Sequence, residues 1–288
     1  MKIRPRLTSA VQETFYRGAA LLHGVPNPAV EAKVLLMLAA GLDEVAFLAS
    51  PQRTLTSREE KEFYRLVARR LSGRPLAYIT GQKEFWSGVF KIAPGVLIPR
   101  PETELIVELV LGLPGPPRET IADIGTGSGN IAISLAGELP GVRIVATDIS
   151  VKALELARLN ARRQAVKNVT FRRGSLYSPL ADLGLRGRCD VIVSNPPYVS
   201  AADWSSLPAE VREHEPKRAL FGGPSGLEFI ERLVRGAPDY LRTGGSLLFE
   251  IGQGQSDRAL SLFDERWRDV GSYPDLQGIP RVIKATMV

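Results

Sequence analysis

The sequence predicts an α/β protein. Its larger part is a mostly parallel sheet covered by helices, and a small helical domain precedes it. Three observations carry this reading. From Thr120 onward, short apolar runs alternate with segments of helical spacing, the pattern of parallel strands joined by crossover helices. The first strand-to-helix junction is a glycine-rich turn, Gly125-Thr126-Gly127-Ser128-Gly129, which permits a tight turn and close backbone approach to a ligand. Further on, the apolar run Cys189 to Val193 leads into Ser194-Asn195-Pro196-Pro197-Tyr198. Two consecutive prolines have no N–H for a sheet ladder, so they end the strand in a stiff loop.

Composition sets the frame. A chain of 288 residues holds one large or two modest domains, and its 44% apolar content supplies a core. The net charge of +6 suits an acidic partner or one that lies on nucleic acid, but points to neither strongly. Cys189 is the one cysteine, which excludes an intramolecular disulfide and fits a reducing, cytoplasmic setting. It opens an apolar strand and is expected in the core. The first residues lack the apolar stretch of a signal peptide, and no run is long enough to cross a bilayer. His23 and His214 are not in metal-ligand spacing, so no metal is expected.

Taken in order, Thr8 to Leu22 has helical spacing and Gly24 ends it. Asn27 before Pro28 reads as an N-cap with proline at the first helical position, followed by an apolar stripe of Val30, Val34, Leu35 and Leu38. Ser57 with Glu60 reads as a capping box ahead of Phe63, Leu66, Val67 and Leu71. Ser72-Gly73-Arg74-Pro75 stops that helix. Residues 1–75 therefore form a helical domain, either purely structural or for partner recognition. Residues 76–100 follow as a linker carrying a hairpin around Ser87-Gly88. Its Phe85, Trp86 and Phe90 are hairpin core or the floor of a pocket. Residues 101–288 form the third region. Pro99-Arg100-Pro101-Glu102-Thr103-Glu104 opens a helix over Leu105 to Leu111, and Pro114-Gly115-Pro116-Pro117 is a connector.

The alternation then runs strand Ile121–Ile124, helix Gly129–Leu139, strand Arg143–Ile149, helix Val151–Arg163, strand Val169–Arg172 and strand Cys189–Ser194. Gly226–Leu241 is largely helical, Gly245–Ile251 a strand, Gln255 to about Trp267 a helix, and Pro280–Val288 the last strand.

Two places carry chemistry. Asp148 ends the second strand of the alternating region; its carboxylate can accept both ribose hydroxyls of an adenosine, or it can cap the next helix. The loop at Asn195 offers a side-chain carbonyl and the Pro196 carbonyl, two acceptors suited to one planar –NH₂, with Tyr198 to stack on it. The plain alternative is a strand-ending turn, since Asn-Pro commonly opens one.

Asp123-Ile124-Gly125-Thr126-Gly127-Ser128-Gly129, then Asp148, then Asn195-Pro196-Pro197-Tyr198 resembles the class I S-adenosylmethionine-dependent N-methyltransferases. The resemblance is nearest to the bacterial release-factor glutamine methyltransferases, the HemK/PrmC family. It extends over most of the chain, taking in the helical N-terminal region, residues 99–104, Glu215-Pro216, Ala219 to Gly223 and Asp275 to Arg281. It implies a Rossmann-like methyltransferase sheet joined through a β-hairpin linker to an N-terminal domain that recognises the substrate. It also implies S-adenosylmethionine as cofactor, S-adenosylhomocysteine as product, and class I peptide-chain release factors as protein substrate. Gly125, Thr126, Gly127, Ser128 and Gly129 would approach the methionyl end. Asp148 would take the ribose, Ile149 and Leu176 would flank the adenine, and Asn195 would also border the cofactor. Asn195, Pro196, Pro197 and Tyr198 would hold the target glutamine amide, with Asn195, Pro196 and Tyr198 the catalytic group. At Ser175 the sequence departs from the acid that many relatives place to meet the adenine amino group. Two other readings stand beside this one: methylation of a base amino group in DNA or RNA, or of a ribosomal-protein glutamine, and a non-catalytic binding module. Direct nucleic-acid binding is not expected, since the helical region carries no marked basic run.

Overall fold

The computed structural model describes residues 9–114 and 118–288; Thr8 and most of the expected connector at 114–117 lie outside them. The chain divides into two units, one ending at Gly81 and one spanning Gln82–Val288. The first holds α1 (Val11–Leu21), α2 (Pro28–Ala40), α3 (Glu44–Ala49), α4 (Ser57–Leu71) and α5 (Leu76–Thr80). Val11, Leu35, Leu36, Phe63, Leu66 and Val67 form its core. A buried ion pair of Arg70 with Glu31 ties α4 to α2.

Local details differ from expectation here. The capping box is Thr56 with Glu59, one residue earlier than Ser57 with Glu60: Thr56 Oγ1 accepts from Glu59 N, and Glu59 Oε2 accepts from Thr56 N. Both pairs fit the same spacing, and the one that ends up outside the first turn wins. Asn27 does precede α2, but its side chain makes no cap bond. The buried face of α2 is Glu31, Ala32, Leu35 and Leu36, while Val30 and Leu38 are exposed. That helix is apolar on nearly every side, so spacing alone does not choose its inner face. Leu71 is likewise exposed.

The second unit opens with a hairpin, β1 (Gln82–Phe85) and β2 (Gly88–Lys91). Phe85 and Phe90 are buried and meet edge to face. Trp86, in the turn, instead donates its indole N–H to Glu138. Then come α6 (Glu104–Leu111), β3 (Thr120–Ile124), α7 (Asn130–Glu138), β4 (Arg143–Asp148), α8 (Val151–Arg163), β5 (Val169–Arg173), α9 (Ser178–Asp182) and β6 (Cys189–Ser194). After these follow β7 (Val199–Ser200), α10 (Ala209–His214), α11 (Lys217–Leu220), β8 (Phe221–Gly223), α12 (Glu228–Gly236), β9 (Leu241–Glu250), α13 (Ser256–Leu260), β10 (Trp267–Pro274) and β11 (Pro280–Met287).

Among the described residues the central sheet has seven strands, in the order β10-β11-β9-β6-β3-β4-β5. Neighbours from β9 to β5 pair in parallel; β11 runs antiparallel to β9 and to β10. The expected mostly parallel sheet is therefore present. Every residue of β3 and β6 is buried, as suits central parallel strands covered on both faces; Cys189 is among them, its thiol pushed up to about 12 chiefly by burial. Strand order reverses on either side of β3: the chain steps outward through β4 and β5, then returns to β6 on the other flank. The crevice outside the carboxyl ends at such a reversal is the usual ligand site of an open α/β sheet.

Two expectations fail in this unit. The helix from Gln255 to Trp267 is only Ser256–Leu260, and Trp267 begins a strand, β10. Phe263 stacks on Phe249 and meets Trp267 edge to face, so two aromatic residues four apart serve the core without a helix between them. β10 lies at the sheet edge, is mostly exposed and is bulged between Arg268 and Gly271; it lacks the alternation that marks a strand. The short parallel pair β7 and β8 also had no signal, being two and three residues long. In addition β9 starts at Leu241 rather than Gly245; Gly226–Leu241 is largely helical as expected, through α12 and a 3₁₀ turn at Ala237–Asp239.

Candidate active site

The crevice holds a cavity of about 780 Å³. Gly125, Thr126, Gly127, Ser128, Asp148, Ile149, Leu176, Asn195, Pro196 and Pro197 all line it. Gly129 and Tyr198 do not appear in its wall. Ser175 lines it beside Leu176, whose φ of 48° is left-handed.

The glycine turn is built by its own backbone. The N–H groups of Gly125 and Thr126 both donate to the Thr147 carbonyl, 2.9 Å each, pinning the turn to the end of β4. Gly125, Gly127 and Gly129 have φ of 77°, 58° and 85°, values that favour glycine. A Cβ at Gly125 or Gly127 would meet no protein atom within 4 Å, so these positions keep the cavity clear. A Cβ at Gly129 would lie 2.7 Å from Ile133 Cδ1 and 3.0 Å from Ala157 Cβ; this third glycine lets α7 and α8 approach. Asn160, buried on α8, donates to the Ser128 carbonyl and to Lys91 O and accepts from Lys91 N, fastening the hairpin and the glycine turn to one helix.

Asp148 is no helix cap; Ser150 caps α8 by accepting from Ala153 N. The Asp148 carboxylate accepts from Gly127 N at 2.9 Å and from Ser150 N at 2.8 Å. Each oxygen keeps a further lone pair for a ligand. Burial raises its pKa, while the bonds from Ser150 and Gly127 and the charge of Arg218 oppose the rise.

Asp123 lies beneath the turn, fully buried. One oxygen accepts from Thr126 Oγ1 at 2.6 Å and the other has no hydrogen-bond partner among the described residues. Burial raises its pKa to about 7; the Thr126 bond opposes this and the Asp148 charge adds to it. The native state thus holds a proton that an unfolded aspartate, with a pKa of about 3.9, has released. Its contribution to stability is complete below that value and is lost as pH rises to about 7. Asp123→Asn is expected to remove this dependence, so that the variant gains on the parent protein from about pH 4 to about 7. Urea midpoints measured across that range check it; parallel curves for the two proteins would contradict it.

Asn195 and its loop leave β6 beside β9. Asn195 Nδ2 donates to Thr103 Oγ1 at 3.0 Å. Its Oδ1 and the Pro196 carbonyl accept no hydrogen bond among the described residues. Tyr198, which is not among the residues lining the cavity, donates its hydroxyl to Glu250 Oε1 at 2.9 Å. The Glu250 charge, with burial, holds that phenol well above its usual pKa. Gln255 Nε2 donates to the Tyr198 carbonyl. A Cβ at Gly222 would lie 2.6 Å from the Pro197 carbonyl, so the β8 backbone reaches this loop only because residue 222 is glycine.

Residues 95–97, 99, 216–219 and 221–223 also line the cavity. Buried Glu215 joins the two segments: it accepts from Ile98 N at 3.0 Å and pairs with Arg100. The sequence assigns no role to Thr103, Glu215 or Glu250. Thr103 and Glu215 sit in segments that carry the resemblance, but Glu250 has no local signal.

Residues 17–81 match the family described as the PrmC N-terminal domain, and residues 103–210 the methyltransferase small domain. Among curated proteins, the chain is 44% identical over 276 residues to the release factor glutamine methyltransferase of Moorella thermoacetica, covering 95% of this chain and 94% of that one. The protein of the same name from Geobacter sulfurreducens is 42% identical over 268 residues, 93% and 92% of the two chains. The one from Koribacter versatilis is 41% identical over 260 residues, 90% and 91%.

Proposed function

The chain belongs to the release factor glutamine methyltransferase family, and we propose that it methylates the side-chain amide nitrogen of the glutamine in the Gly-Gly-Gln loop of class I peptide-chain release factors. The observation that carries this reading is that Asn195 and Pro196 line the cavity while Asn195 Oδ1 and the Pro196 carbonyl accept no hydrogen bond among the described residues. One planar –NH₂ has two hydrogens to give them. An amide nitrogen is a poor nucleophile because its lone pair is delocalised into the carbonyl. Two acceptors on a stiff loop would orient that nitrogen and stabilise the positive charge that develops on it as it attacks.

The rest of the cavity fits S-adenosylmethionine, which when bound supplies an electrophilic sulfonium methyl and leaves as S-adenosylhomocysteine. The open turn of Gly125 to Ser128 would hold its methionyl end, with Gly129 acting through helix packing. Asp148 would take the ribose hydroxyls, and Ile149 and Leu176 would flank the adenine. Ser175 supplies no carboxylate to the adenine amino group, so apolar contact carries more of that recognition. Pro197 and Tyr198 would support the amide loop, Tyr198 through its tie to Glu250. The N-terminal unit would recognise the release factor, and the protein would work in the cytoplasm on a protein substrate without binding nucleic acid.

Label transfer from methyl-labelled cofactor tests the substrate class. With release factor, ribosomal protein, DNA and RNA offered in parallel, label is expected in the release factor. Efficient labelling of nucleic acid with none in the release factor would overturn the reading.

A further inference from the structure

We propose that Thr103 and Glu250 are positioning residues that decide which half of the Asn195 amide faces the cavity. The proposal rests on the reading of Asn195 as the acceptor for the substrate amide. The two residues are 147 apart in sequence, on a 3₁₀ turn at Pro101–Thr103 and at the last position of β9. They meet because β9 lies beside β6, with Phe249 opposite Ser194, which puts Glu250 next to the start of the Asn195 loop. Both are almost fully buried, at 1% and 2% exposure.

Glu250 accepts at both oxygens: from Tyr198 OH at Oε1, 2.9 Å, and from Thr103 Oγ1 at Oε2, 2.6 Å. A threonine hydroxyl has one hydrogen, and here the carboxylate takes it. Thr103 Oγ1 therefore shows only lone pairs to Asn195, 3.0 Å away. The half of the amide that meets it must be the –NH₂. Oδ1 is left for the cavity, as an acceptor. Were the amide turned over, two oxygens would face each other at the Thr103 contact, and the substrate –NH₂ would meet another –NH₂.

Burying a carboxylate is costly: burial raises the Glu250 pKa, and the bonds from Thr103 and Tyr198 and the positive charge of Arg281 oppose the rise. The same carboxylate fixes both ends of the Asn195–Tyr198 segment. Tyr198 thereby holds the loop without touching the cavity. Replacing the carboxylate by an amide would put an –NH₂ on one of the two hydroxyls. If that is Thr103, its hydroxyl becomes an acceptor toward residue 250 and its hydrogen turns to Asn195, reversing the amide. If it is Tyr198, the phenol loses its acceptor and the loop loses its tether.

The test compares Thr103→Val, Thr103→Ser and Glu250→Gln in the full chain with release factor as substrate. Thr103→Val keeps the shape and removes the acceptor; kcat is expected to fall by about 30-fold or more, with the cofactor Kd within about threefold of the parent's. Thr103→Ser restores the hydroxyl and is expected to recover most of that loss. Glu250→Gln should lower kcat by about tenfold or more, again with little change in cofactor Kd. A second readout needs no substrate. Hydrogen exchange of the Asn195 side-chain –NH₂, followed by ¹⁵N NMR, is expected to speed up by about tenfold in Thr103→Val. Equal rate losses in the serine and valine variants, an unchanged kcat or exchange rate in Thr103→Val, or loss of cofactor binding in both Thr103→Val and Glu250→Gln would overturn the proposal. Failure of the parent protein to methylate release factor would instead refute the function reading, and the exchange measurement would still decide the orientation.

Discussion

Asn195→Ala is expected to lower kcat by about 10²–10³, the scale of losing one preorganised polar contact at a developing charge, about 2.7–4 kcal/mol. The cofactor Kd should hardly move, because Asn195 Oδ1 is proposed to meet the substrate amide and its Nδ2 is spent on Thr103. The contact strengthens as the amide nitrogen becomes positive, so its loss appears in kcat rather than in KM. Asn195→Asp probes the same point from the other side. It keeps an acceptor at Oδ1 but has no N–H for Thr103 Oγ1, whose own hydrogen goes to Glu250. Two oxygens would then face each other and the loop would shift. The aspartate variant is therefore expected to recover little of the alanine loss. Single-turnover rates at saturating cofactor measure both; an Asn195→Ala enzyme with intact kcat and a raised substrate KM would make the loop a docking feature only.

The second large effect is at Asp148. Asp148→Ala is expected to weaken cofactor binding by about 1.5–3 kcal/mol for each charge-assisted bond lost. That is about 10- to 100-fold in Kd per bond. The ribose is unchanged by methyl transfer, so kcat at saturating cofactor should stay near the parent value. The carboxylate also accepts from Gly127 N and Ser150 N, so its removal loosens the glycine turn as well. Asp148→Asn can still accept at one oxygen and is expected to fall between the two. Calorimetry with S-adenosylhomocysteine measures the affinities. A Kd unchanged in Asp148→Ala would remove the ribose assignment.

How much of this was legible in the sequence follows from how local each signal is. The parallel sheet could be read because β3, β4 and β6 are apolar runs punctuated by Gly125, Asp148 and Pro196, each marking a carboxyl end. The cavity wall could be read for the same reason: those ends converge in the structure. β10 could not, because an exposed, bulged edge strand has no alternation, and Phe263 and Trp267 imitate a helical pair. The face of α2 could not, because Val30, Leu35 and Leu38 are equally apolar and the inward side is set by packing and by the ion pair of Glu31 with Arg70, 39 residues away. Tyr198 was legible as part of the site but not in its direction, which is set by Glu250, 52 residues away. Glu250 itself ends a strand like many others; only the sheet order brings it next to Asn195. Partners joined by register across a sheet leave no mark in the spacing of either segment.

The central claim is that the Asn195 loop holds a glutamine side-chain amide for methylation. Tandem mass spectrometry of release factor incubated with this protein and S-adenosylmethionine tests it most directly, with Asn195→Ala as the control. The expected result is a single added methyl on the side-chain amide nitrogen of the Gly-Gly-Gln glutamine, nearly absent with the variant. A methyl on any other residue, or an unmodified glutamine after incubation with fully folded, cofactor-binding protein, would contradict it.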